Sequence, residues 1–97
     1  MSGTAAEIWI ATSDDLNMIR ADAIVVVRID GGRVTAQLHD EAKVSVTLVD
    51  AGVGPHPPAD FHRELIRVVA QLADTSGAHL VRPHGDERGW RWTTERL

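Results

Sequence analysis

Hydrophobic and polar residues alternate along much of the first fifty positions. From Arg33 to His39, Val34, Ala36 and Leu38 fall on one side and Thr35, Gln37 and His39 on the other. From Lys43 to Val49 the pattern repeats, with Val44, Val46 and Leu48 opposed to Ser45 and Thr47. A period of two marks a strand with one wet face, and two such strands in succession predict an antiparallel sheet. Glu7 to Thr12 also alternates and carries the strand formers Ile8, Trp9 and Ile10. Ala23 to Ile29 contains the β-branched run Ile24 to Val27, whose χ1 freedom a helix would restrict. Its even and odd positions are both apolar. Leu16 to Asp22 admits two readings, a short helix capped by Asp15 or the start of the next strand. We read it as strand, broken by a bulge near Arg20–Asp22.

The punctuation between these stretches is polar or glycine-rich. Ser13-Asp14-Asp15 and Asp40-Glu41-Ala42 read as turns, because short polar side chains bond to their own backbone. Asp30-Gly31-Gly32-Arg33 predicts a tight hairpin, since glycine reaches positive φ without strain. Asp50 to Pro57, dense in glycine and proline, is a loop. The period then changes. Phe61, Leu65, Val68, Val69, Leu72 and Ala73 form one helical stripe, with Arg63, Glu64, Arg67, Gln71 and Asp74 largely opposite. Pro58 suits a first helical turn and Gly77 a left-handed stop. The helix is expected from about 58 to 74, roughly 25 Å long. Ala78 to Arg82 predicts a short strand and His84 to Gly89 a polar turn. Trp90 to Thr93 predicts a last strand with both tryptophans on one face.

The expected fold is therefore α+β. One domain spans residues 1–97, with 1–6 expected to be disordered. An antiparallel sheet of four to six strands carries one amphipathic helix on one face, in the order β-β-β-β-α-β-(β). With Ile8-Trp9-Ile10, the Ala23–Ile29 strand and the Phe61–Ala73 helix, the layout resembles small uncharacterised bacterial and phage-encoded domains. Those open with a Trp-Ile strand, run a meander of short strands, then a helix, then a final strand. The proline-rich loop before the helix departs from that layout, and the resemblance implies no activity.

Composition narrows the function classes. The 97 residues hold no cysteine, which excludes a disulfide scaffold, a thiolate metal site and a cysteine nucleophile, and fits a reducing compartment. The first seven residues have no basic start followed by an apolar core, so no secretory leader is expected. The longest apolar run, Ala23 to Val27, is far below the ~20 residues of a membrane helix. A cytoplasmic location is expected, and the predominance of arginine over lysine suits a bacterial, GC-rich genome. Residues 1–60 hold four basic against nine acidic side chains, and residues 61–97 hold six arginines against five acids. The acidic balance repels phosphate backbones, so nucleic acid is not the expected partner.

The candidate chemistry is sparse. His39, His56, His62, His79 and His84 show no i, i+4 spacing on the helix; they are expected to be surface residues, with no metal and no cofactor. Gly52-Val53-Gly54 resembles part of a dinucleotide loop, but prolines follow it where phosphate-binding N–H groups would be needed. No serine sits in a nucleophile elbow, although Ser45 would meet His39 if their strands pair with Asp40 or Asp50 near. The acid pairs Asp14/Asp15, Asp40/Glu41 and Asp86/Glu87 fall in solvated turns. No catalytic residue is assigned. The leading expectation is a non-catalytic interaction or regulatory module, able to form a homodimer. Its apolar contact patch would comprise Trp9, Ile24 and Val26 on the far sheet face, with Trp90 and Trp92 as further interaction residues. One alternative is a nucleic-acid-associated protein using the C-terminal arginines and tryptophans. Another is a ligand binder or enzyme with His56 and His62 at the loop–helix junction.

Overall fold

The structure is a computed structural model and describes residues 6–39, 41–52 and 54–97, with backbone alone within 41–44. Among the described residues seven strands and one α-helix follow one another: β1 (Glu7–Ala11), β2 (Met18–Arg20), β3 (Ile24–Asp30), β4 (Arg33–Leu38), β5 (Glu41–Asp50), α1 (Phe61–Leu72), β6 (Ala78–Asp86) and β7 (Gly89–Arg96). The α+β class and the element order follow the sequence pattern. The sheet is the correction. There are two sheets, a four-stranded one in the order β2-β1-β6-β7 and a three-stranded one in the order β3-β4-β5.

The division falls where the sequence was ambiguous. Residues 16–29 are not one bulged strand. Met18–Arg20 pairs antiparallel with β1, and a single 3₁₀ turn at Ala21–Ala23 then carries the chain into the other sheet. The four-stranded sheet is also not wholly antiparallel. β1 and β6 run parallel, with Ile8 beside His79 and Ile10 beside Val81. Alternation cannot reveal this, because a parallel partner lies far away in sequence and leaves the same local pattern as an antiparallel one.

The expected hairpin is present. Asp30 pairs with Arg33, and Gly31 and Gly32 take φ of 58° and 84°. Two positive φ values in succession give a turn whose twist matches the flanking strands. Two of the three register shifts among the described residues of this sheet break the alternation on which the inward faces were assigned. Between Ile24 and Val26 the β3–β4 register shifts, so Ile24, Val27 and Ile29 pack on the core while Val25 and Val26 face solvent. Between Val34 and Thr35 the β4–β5 register shifts, and consecutive Leu48 and Val49 are both buried. Asp40 lies outside the described residues, as do the side chain of Val44 and residues 1–5 of the expected tail. Glu41 and Ala42 are strand rather than turn, and Ala6 packs partly on the core.

One core joins all three layers: Ile8, Ile10 and Val81 from the first sheet, Val34, Ala36, Leu48 and Val49 from the second, Phe61 and Leu65 from α1. The helix touches β7 of one sheet and β3 of the other, each an edge strand. It is shorter than expected because Ala59 and Asp60 form a turn, closed by the Phe61 N–H on the Pro58 carbonyl at 3.0 Å, before the helix begins. At its other end Thr75 Oγ1 donates to the Leu72 carbonyl at 2.6 Å. Thr75 has no second proton, so the Nε2–H of His79 is the donor toward Thr75 Oγ1 (2.9 Å) and the Ser76 carbonyl (3.0 Å). His79 is thus a buried member of the turn into β6, not a surface histidine.

Candidate functional site

Two surface depressions merit chemical scrutiny. The larger is a cleft of about 720 Å³ at the carboxyl ends of the parallel pair β1/β6. Such ends are where ligands gather in α/β sheets. Thr12 to Asp15 form one wall, Arg82 to Gly85 another, and Leu48 to Asp50 with Trp90 the remainder. The wall after β1 is internally bonded. Thr12 Oγ1 donates to Asp14 Oδ1 at 2.6 Å, and the Leu16 N–H donates to the same oxygen at 3.0 Å. The hydroxyl first, and then the amide, hold the Asp14 carboxyl below its ordinary pKa. Asp15 adopts φ of 59°, and its carboxylate meets Arg82 Nη2 at 3.3 Å. Arg82 Nε lies 3.5 Å from Glu95, an ion contact without hydrogen-bond geometry. The cleft's cation is thereby matched by carboxylates, Asp14 is bonded within the wall, Asp50 lies 3.5 Å from Arg33, and exposed His84 lies 3.5 Å from Asp86. Among the described residues, no three histidine or carboxylate side chains gather closely enough to hold a metal ion.

The Asp14 geometry makes a direct prediction. A depressed carboxylate contributes stability above its ordinary pKa, and that contribution fades as pH falls through the lowered folded value. Thr12→Val keeps the shape and removes the donor, so the Asp14 carboxyl should titrate at higher pH than in the parent. Carboxyl-carbon NMR across an acid titration measures this. An unmoved midpoint would show that Thr12 is not the cause.

The second depression is a groove of about 190 Å³ between α1 and β3. Its lining is wholly aliphatic: Ile10, Ala21, Ile24, Val25, Val27, Leu65, Ile66 and Val69. At its rim Val25 is 56% exposed and Ile66 58%. The bulge in β3 turns Val25 outward. Ile66 lies outside the buried stripe of α1, between Arg63 and Arg67.

The structure redistributes the residues singled out from sequence. Trp9 lies in the four-stranded sheet, while Ile24 and Val26 lie in the three-stranded one, so the three do not share a sheet face. Ile24 packs on the core and helps line the groove. Trp9 is half-buried, pairs in register with Leu80, and carries the Arg20 guanidinium 5.3 Å from its ring centroid. Val26 remains exposed beside Val25.

Trp90 and Trp92 do share a face, and both rings pack on Phe61. Their indole N–H groups donate to the Pro55 and Phe61 carbonyls, each at 2.8 Å. His56 is exposed, with its ring against the backbone of Gly32. His62 Nδ1 is buried without a hydrogen-bond partner among the described residues. Neither histidine lines the cleft or the groove. Ser45 pairs with Gln37 rather than His39. Val25 and Ile66 were missed for identifiable reasons. Strict alternation sends Val25 inward, and Ile66 is a single apolar residue on an otherwise polar helix face.

The chain matches no protein-family model, and no curated protein or solved structure shows significant similarity to it.

Proposed function

We propose that the chain is a non-catalytic interaction module that engages a second copy of itself through the face bearing the α1–β3 groove. The supporting observation is the groove. Every side chain that lines it is aliphatic, and two of them, Val25 and Ile66, are exposed at its rim. Such a lining holds no side chain that could transfer a proton or pair with a charged ligand, and burial of its apolar side chains against another apolar surface is favourable. The edge strand β3 beside it is protected from strand addition by its bulge and by the charges of Arg28 and Asp30. The contact is therefore one of side chains and of α1.

The C-terminal tryptophans support a nucleic-acid reading less well, because their rings and N–H groups are engaged by Phe61 and Pro55. The loop–helix junction supports a ligand site less well, because His56 and His62 face neither depression.

Sedimentation equilibrium at two concentrations tests the proposal. The parent should approach twice the monomer mass at the higher concentration. Ile66→Arg should remain a monomer and stay folded, since position 66 is exposed and arginine is a good helix former. Trp9→Ala, on the other sheet, should associate like the parent. A parent that stays monomeric throughout would end the proposal.

A further inference from the structure

We infer that the two copies meet with their α1 helices antiparallel, Arg63 of each against the partner's Asp74. The inference rests on the self-association proposed above and adds its orientation and specificity residues. Helical periodicity supplies the first observation. Ala70 and Asp74 follow Arg63 by seven and eleven residues, within about 20° of it around the helix axis. Ala73 keeps helical φ and ψ of −61° and −24°, so the turn continues to Asp74. Arg63, Ala70 and Asp74 therefore share one outward stripe, with Ile66 beside it toward the groove. All four are exposed. The central member is alanine, which allows two helix axes to approach to about 8 Å.

Charge supplies the second observation. Among the described residues Arg63 and Asp74 form no ion pair with any side chain. Each also stands at the end of α1 where its own helix disfavours it, a cation in the first turn and an anion just beyond the last. An antiparallel partner reverses both relations. It sets Asp74 beside a helix N-terminus and Arg63 beside a helix C-terminus, and it joins the two charges across the contact. With Arg63 level with the partner's Asp74, Arg67 comes level with the partner's Ala70, and Ile66 with the partner's Gln71. Arg67 is already neutralised by Glu64 of its own helix at 2.7 Å, so it adds no unbalanced charge at the centre. A parallel arrangement would instead place like charges together at both ends.

Charge reversal tests this with an unusual signature. Arg63→Asp and Asp74→Arg each put a residue of the favoured sign at their own helix end, so each monomer should melt no lower than the parent. Each should nevertheless weaken self-association by about tenfold, because two attractions become two repulsions. The double variant restores opposite charges in exchanged positions and should return to within about twofold of the parent. The dimer dissociation constant by sedimentation equilibrium at low salt is the measurement, with circular dichroism melts confirming the fold. Single variants that associate like the parent, while Ile66→Arg abolishes the dimer, would overturn the antiparallel pairing and leave the groove proposal standing. A double variant as weak as the singles would also overturn the pairing. A monomeric parent would remove both proposals.

Discussion

Replacing Phe61 by alanine is expected to cost about 3–5 kcal/mol, a large share of the stability of a domain this size. Phe61 is essentially inaccessible to solvent and is the first residue of α1. Its ring stacks on Trp92 at 4.6 Å and 13°, and meets Trp90 edge-on at 5.9 Å and 65°. Each such aromatic pair adds about 0.5–1.5 kcal/mol beyond the buried area. The Phe61 carbonyl also accepts the Trp92 N–H, so helix start and last strand are joined through both backbone and ring. Alanine would leave a cavity between two indoles that are themselves tethered and cannot collapse into it. Urea unfolding followed by tryptophan emission would show a large drop in midpoint, and Phe61→Leu should recover most of the loss. A Phe61→Ala protein within about 1 kcal/mol of the parent would show that this cluster does not hold α1 in place.

Gly85→Ala should cost about 1–3 kcal/mol, although it adds a single methyl group. Gly85 stands opposite Trp90 in the β6–β7 pair. A Cβ there would fall 2.7 Å from Trp90 Cε2 and 2.8 Å from Cδ2 and Cζ2. The indole cannot slide away, because its N–H is held by the Pro55 carbonyl and its ring by the edge contact with Phe61. A glycine covered by a cross-strand aromatic is a recognised way to fix register. A double-mutant cycle isolates the clash. Gly85→Ala in a Trp90→Leu background should be close to neutral, giving a coupling energy about as large as the single effect. Equal costs in the two backgrounds would show that the loss arises from the backbone rather than the ring.

How much of this was legible in the chain depends on how local the cause is. The Gly31-Gly32 hairpin, the α1 stripe from Phe61 to Leu72 and the shared face of Trp90 and Trp92 each depend on neighbours a few positions away and stand as the pattern predicts, whereas Ala73, the last member of the expected stripe, lies just past the helix and is exposed. Nor does the pattern predict the two sheets. Whether Met18–Arg20 and Ile24–Asp30 share a sheet depends on a three-residue 3₁₀ turn with no capping motif, and the β1–β6 pairing spans most of the chain. The candidate surface was hidden by one displaced residue. A bulge exchanges the faces on either side of it, so Val25 emerges where alternation buries it and Ile24 turns inward. Ile66 was visible as an isolated aliphatic among arginines, but only the finished packing shows that β3 lies beside it. The roles of Trp90 and His79 needed partners, Pro55 and Ser76, that propensity does not name.

The parallel pairing of β1 with β6 has a consequence for biosynthesis. On a translating ribosome the β3–β5 meander can close as soon as it emerges, since its contacts are between sequence neighbours. β1 emerges before β6, and although β2 can pair with its outer edge early, its other edge waits until residues 78–81 have been made. Ile8 and Ile10, both buried in the finished protein, complete their core only when Val81 joins it. β1 thus keeps one edge open to a chaperone or a neighbouring polysome product until late in the synthesis of this domain.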